Sequence, residues 1–169
     1  MPLDHLPIFS AQPVAAKPAD HPVWQRLLDW NPEAVVGGKF DRGELTLTVT
    51  AALLPAVAEY LRDDSQLRFD LLADLTAVDR LPNHPRFEVN YHLYCLSRHE
   101  WLRLKVWTEP EQPIPSVTGI WPAANWHERE VWDLFGVRFS GHPFLRRILM
   151  PDNWEGHPMR KDYPVEGYR

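Results

Sequence analysis

A chain of 169 residues with 44% hydrophobic and 12% aromatic content has room for one domain, burying roughly 70% of the surface its unfolded form exposes. Its single cysteine, Cys95, excludes a disulfide framework, cysteine-rich zinc sites and an iron–sulfur cluster held by its own thiolates, and it reads as intracellular. Without 18 consecutive apolar residues or a basic, apolar leader, the chain is expected neither to span a membrane nor to be exported. The net charge of −5 is uneven: 12 Lys+Arg against 19 Asp+Glu up to Val137, then 6 against 4.

Pro2, Pro7, Pro13, Pro18 and Pro22 are nearly evenly spaced without apolar periodicity, so 1–22 is predicted to be an extended proline-rich arm. A short helix follows over 23–30 with Trp24, Leu27 and Leu28 on one face. Asn31-Pro32 stops it, because the residue before proline is pushed out of the helical region. Segments 34–40 and 43–50 form a hairpin across Asp41-Arg42-Gly43, Leu45, Leu47 and Val49 alternating with Glu44, Thr46 and Thr48. A second helix is expected over 51–62, where Leu53, Leu54, Val57, Tyr60 and Leu61 recur at helical spacing. Thr50 offers a cap, and Pro55 must lie in the first turn or kink the helix.

Segment 67–79 fits either period: Phe69 and Leu71 favour a strand, Leu71, Leu72 and Leu75 a helix. It is read as strand. Phe87, Val89, Tyr91, Leu93 and Cys95 share one side of a long alternation, and Leu102, Leu104 and Val106 repeat it after Ser97-Arg98-His99, making a second hairpin. This order predicts an α+β fold: a two-layer domain, a mixed sheet of about five strands with helices on one face, plus an extended C-terminal tail. The expected divisions are an arm over 1–22, an α+β domain over 23–136 and an extended partner-binding tail over 137–169.

After a proline-rich connector at 110–122, Asn125 is placed to cap a helix over 126–135, with Glu128 completing a capping box and Gly136 ending the helix. Arg129 and Asp133, four apart, are expected to pair. Glu128, Glu130 and Asp133 could together do acid–base work, yet capping, the helix dipole and ion pairing account for each in turn. His127-Glu128 resembles the start of a metalloprotease helix, but Val131 stands where the second histidine belongs. Among eight glycines there is no phosphate loop or dinucleotide fingerprint, so no nucleotide or flavin site is expected. Cys95 reads as a small buried strand residue.

The end segment differs in kind. Arg138, Arg146, Arg147, Arg160 and Lys161 are interleaved with Phe139, Phe144, Trp154 and Tyr163, and Gly-His-Pro occurs at 141–143 and again at 156–158. Disordered tails are poor in Trp and Phe. Arginine beside aromatics suits single-stranded nucleic acid, but this segment carries only a small positive excess. Protein interfaces concentrate Trp, Tyr and Arg. Composition therefore favours a protein partner over packing back on the domain, and both over nucleic acid. A stand-alone nucleic-acid-binding module using the Arg/aromatic tail is the alternative.

Trp126-His127-Glu128-Arg129-Glu130-Val131-Trp132-Asp133-Leu134-Phe135-Gly136, followed by Phe139, Gly141-His142-Pro143, Leu145-Arg146-Arg147-Ile148-Leu149 and Pro151-Asp152, closely resembles the signature of the NuoC family, which belongs to respiratory complex I, the NADH:quinone oxidoreductase. Trp154, Gly156-His157-Pro158 and Arg160-Lys161-Asp162-Tyr163-Pro164 are similar to the family's continuation, so the resemblance covers 124–164. It implies a structural, cofactor-free subunit of the peripheral arm of an ion-translocating enzyme, with no catalytic residues of its own. Electrons would pass from NADH to quinone through FMN and iron–sulfur centres on other subunits. The resemblance further implies a peripheral place on the cytoplasmic side of the cell inner membrane, with no span of its own and no nucleic acid. The tail would lie over the neighbouring protein that helps form the quinone site, hereafter the quinone-site subunit. Signature and interface residues carried over are Glu128, Arg129, Glu130, Asp133, Gly136, His142, Arg146, Arg147, Trp154, His157, Arg160, Lys161, Asp162 and Tyr163. Membrane-bound hydrogenases and ferredoxin-driven oxidoreductases use similar subunits, so NADH is the donor of the commonest member. The chain stops soon after Tyr163, whereas some members have longer ends or are fused to the quinone-site subunit.

Overall fold

The two hairpins supply four of the five strands of the main sheet. In the computed structural model, which describes residues 18–167, β1 (Gly37–Asp41) and β2 (Glu44–Thr48) pair across Arg42 and Gly43. Their φ values of 52 and 83 give a tight loop the twist that two antiparallel strands need. β4 (Phe87–Cys95) and β5 (Glu100–Thr108) form the second hairpin, and β3 (Leu71–Asp79) lies at the edge. The order is β1-β2-β5-β4-β3, with β2 and β5 parallel and every other pair antiparallel. The arm expected over 1–17 lies outside the described residues.

Register puts Leu45, Leu102, Leu93 and Leu72 in one row across the sheet, and Leu47, Leu104, Tyr91 and Leu75 in the next. All eight are buried, giving the sheet one apolar face for helices to cover. A bulge between Leu72 and Asp74 explains the double reading of this strand: an extra residue lets Leu72 and Leu75, at helical spacing, point to the same side.

α1 (Pro22–Trp30) buries Val23 and Leu27 and lays Trp24 on Gly38, where an added Cβ would stand 2.5 Å from the indole. α2 (Leu54–Asp63) follows a short 3-10 turn, with Pro55 in its first turn where no N–H is needed. Its Leu54, Val57, Ala58 and Leu61 are buried. The opposite sheet face carries Thr46, Arg103, His92 and Lys105, with Trp101 and Trp107 exposed.

α3 (Ala124–Phe135) packs on β3. Before it, β6 (Ile114–Pro115) pairs in parallel with β7 (Phe139–Ser140), so the chain leaving α3 returns beside the connector. Ile114, Val117, Trp121, Val137 and Phe139 are all buried, so the apolar core continues past Gly136. Among the described residues no helix is long and apolar enough to cross a membrane.

Candidate protein-interface site around the third helix

α3 begins earlier than the capping-box pattern suggests. The N–H groups of Ala124 and Asn125 donate to the carbonyls of Trp121 and Pro122, so Ala123 stands at the N-cap and no side chain caps the helix. That shift turns Glu128 inward. Fully buried, it accepts hydrogen bonds from Val117 N at 2.8 Å and Ser116 Oγ at 2.6 Å, tying the connector to the helix. Burial pushes its carboxyl up to about 7 against the pull of those two bonds.

The expected Arg129–Asp133 pair does not form; each residue serves the tail. Asp133, fully buried, receives Arg147 Nη1 at 2.5 Å and the main-chain N–H groups of Ile148, Leu149 and Met150 at 3.0, 2.8 and 2.9 Å. Burial alone would raise this carboxyl; four donors outweigh it and hold it below the usual range. A lone surface-type partner such as Arg129 would leave a buried carboxylate short of donors. Arg129 instead donates to the carbonyls of Arg146 and Arg147 at 3.1 and 3.2 Å. Arg147 also reaches the carbonyls of Trp154 and Gly156, both at 2.9 Å.

The C-terminal end of the helix is closed by the tail. Gly136, at φ 76, adopts the left-handed conformation that ends helices. His157 Nδ1 donates to the carbonyl of Asp133 at 2.9 Å, Met159 N to that of Leu134 at 3.0 Å, and Arg160 Nε to that of Phe135 at 2.6 Å. Carbonyls that a helix end leaves without partners are thus satisfied by the second Gly-His-Pro unit and its neighbours. Burial lowers the affinity of His157 for a proton, which suits a ring that donates from one nitrogen as a neutral group. The first unit works at the other end: His142 Nδ1 accepts from Phe144 N, so its Nε2 donates to the carbonyl of Asn125.

A third anchor joins the tail to the sheet. Asp79, at the end of β3, accepts from Arg86 through both oxygens at 2.7 and 3.1 Å, from Leu81 N and from Lys161 N. Burial raises its carboxyl, but these bonds prevail and bring it to about 2. Arg86 also grips Asp162 at 2.6 and 2.9 Å, and Lys161 Nζ donates to the carbonyl of Leu81. Sequence reading missed Asp79, Arg86 and Ser116: Asp162 lies 76 residues from Arg86 and Lys161 lies 82 from Asp79, beyond any local pattern. Of the residues picked out in sequence, Glu130 is exposed on α3, Trp154 is exposed with only its main chain engaged here, and Tyr163 N donates to the carbonyl of Arg160.

What this arrangement does chemically is fasten chain to chain. Buried carboxylates and arginines hold the inward side of the tail, while Trp126, Phe144, Leu149, Trp154 and Met159 remain exposed around α3. Among the described residues, no three His, Cys, Asp or Glu side chains stand close enough to hold a metal ion.

Residues 47–169 match the family described as "Respiratory-chain NADH dehydrogenase, 30 Kd subunit". The chain belongs to this family. Among its relatives, the NuoC protein of the NADH-quinone oxidoreductase of Roseiflexus sp. (strain RS-1) is 49% identical over 144 residues, 85% of this chain and 83% of the relative. The corresponding NADH-quinone oxidoreductase protein from Paramagnetospirillum magneticum is 49% identical over 138 residues, 81% of this chain and 69% of the relative. A chain in the solved structure of the membrane-bound sulfane sulfur reductase, an archaeal respiratory membrane complex, superimposes with a TM-score of 0.71 at 28% identity, covering 83% of both chains. All the signature residues from Glu128 to Tyr163 lie within the region that the family matches.

Proposed function

We propose that this chain is the NuoC member of an ion-translocating NADH-quinone oxidoreductase, a structural part of the peripheral arm that carries no cofactor and no catalytic residue. Electrons pass from NADH through FMN and iron–sulfur centres on other subunits to quinone. The chain sits on the cytoplasmic side of the membrane and holds its neighbours, the quinone-site subunit first among them, in position. The observation that carries this reading is the use of the signature residues: Asp133, Arg129, Arg147 and Arg160 are committed to main-chain groups and to one another, while apolar side chains stay outside. Such an arrangement suits a surface for a partner. The same commitments disfavour a nucleic-acid strap, which would turn its arginines to phosphates.

The closeness to relatives named as NADH-quinone oxidoreductase subunits favours NADH and quinone over the sulfur chemistry named for the more distant archaeal complex. The test is deletion of the gene in the native cell. Membranes should lose NADH:quinone reductase activity and the assembled complex, and the full-length chain supplied in trans should restore both. Tagged chain purified in mild detergent should bring the quinone-site subunit with it. Unchanged activity and assembly in the deletion strain, or NADH oxidation by the isolated chain, would overturn the reading.

A further inference from the structure

The outer side of α3 carries an ordered stack of aromatic and guanidinium planes. Arg129 lies over the Trp126 ring at 5.0 Å and over the Phe144 ring at 5.8 Å, and Arg146 lies over the same Phe144 ring at 4.1 Å. Trp126 is 63% and Phe144 52% exposed. The stack is rigid by construction. Arg129 holds the carbonyl of Arg146, His142 takes the N–H of Phe144, and the same imidazole is bonded to Asn125 at the start of α3.

The outermost guanidinium has no anion. Arg26, Arg62, Arg80, Arg86, Arg98, Arg103 and Arg147 each pair with a carboxylate of this chain, but no described carboxylate lies within 4.0 Å of Arg146. Exposed Arg138 also lacks an ion pair but has no aromatic seat. A guanidinium fixed flat on a ring presents its N–H edge as a fork for a carboxylate, at low entropic cost because it is already oriented.

We propose that the stack of Trp126, Arg129, Phe144 and Arg146 is the seat for an acidic segment of a neighbouring protein of the complex. An Asp or Glu of that segment is held end-on by Arg146, with apolar side chains beside it on Trp126 and Phe144. A protein fits better than a lipid surface, which takes clusters of free cations; Arg146 stands alone here, and Glu130, four residues after Trp126, is on the same helix face. This inference rests on the functional reading above, since it needs a complex for the chain to join.

The test uses the full chain in its native complex, with a photo-crosslinking phenylalanine analogue at position 144 and, as control, at exposed position 59. Irradiated complex should yield an adduct from 144 on a peptide of another subunit that contains Asp or Glu. Arg146→Glu should lower the amount of chain retained in the complex at least about tenfold. Arg146→Lys should fall between, and Arg138→Glu should match the wild type. The thermal midpoint of isolated Arg146→Glu should be unchanged, because no carboxylate of its own chain is lost. Arg placed at the cross-linked carboxylate should restore retention of Arg146→Glu. Adducts only to a second copy of this chain, only to lipid, or none at all in complex that contains the chain overturn this inference and leave the functional reading standing. Chain recovered outside any multi-subunit complex overturns both.

Discussion

Glu128 and Asp133, both fully buried on α3, titrate in opposite directions because their donors differ in number. Glu128 has two donors and burial prevails, so its folded value of about 7 lies above the ordinary 4.5. The folded state then binds this proton more tightly than the unfolded chain. The resulting stability is full below the ordinary value and is lost as pH rises through about 7. Glu128→Gln keeps one acceptor for Val117 N and offers donors to Ser116. Denaturant titrations should therefore show wild type losing on the order of 3 kcal/mol relative to this variant between pH 5 and pH 9. A constant difference across that range would remove Glu128 as the titrating group. Asp133→Asn should behave otherwise, losing about 3 to 5 kcal/mol near neutral pH, because Arg147 is left without its anion in a buried site. Equal stability of Asp133→Asn and wild type in urea would contradict the four-donor account. That Asp133 matters is legible from its place in the signature. Its partner is not, because Arg147 lies 14 residues away while Arg129 offers itself at helical spacing.

At the scale of elements, most helices and strands follow their local periods, and the departures have identifiable causes. The bulge in β3 places Leu72 and Leu75 on one face and so imitates a helix. The start of α3 moves to Ala124 because connector carbonyls accept its first N–H groups, which removes the need for Asn125 as a cap. Gly136 was legible as a helix end, but its second duty was not: an added Cβ would lie 2.5 Å from His157 Cδ2 and 2.6 Å from Nε2, and would press on Arg160. Gly136→Ala should accordingly cost well over about 1 kcal/mol, combining a left-handed backbone with a direct clash. Gly37→Ala, with open space at its Cβ, should change stability by only a few tenths. Thermal melts of the two variants check the contrast, and similar midpoints would mean that the tail does not press on the helix end. The same Gly136 variant should show faster amide exchange at Met159, whose N–H is held by Leu134.

For the whole molecule, the segment after Gly136 has two sides. Its inward side supplies Val137 and Phe139 to the core, Arg147 to Asp133, and Lys161 and Asp162 to the Asp79–Arg86 cluster. A chain ended at Gly136 would leave two buried carboxylates short of donors, at several kcal/mol each, against a total stability of about 5 to 15 kcal/mol. It should lack a cooperative thermal transition; cooperative melting at the full-length temperature would mean that the tail adds nothing to the fold. Acid should act on the same joint. Asp79, brought to about 2 in the folded state, contributes stability that is present above its ordinary 3.8 and is lost as pH falls through about 2. The sequence by itself determined the α+β class, the two hairpins, the glycine stop of α3 and, through the ordered run from Trp126 to Tyr163, the family. Periodicity, turns and caps depend on residues a few positions apart, so a linear reading reaches them. Only the tertiary structure decided that Asp133 takes Arg147, that Asp79 and Arg86 clasp the tail, and that Arg146 faces outward without an anion. Those pairings join segments that become neighbours only after the sheet has closed beneath α3, and a buried charge draws its donors from whatever the fold brings near.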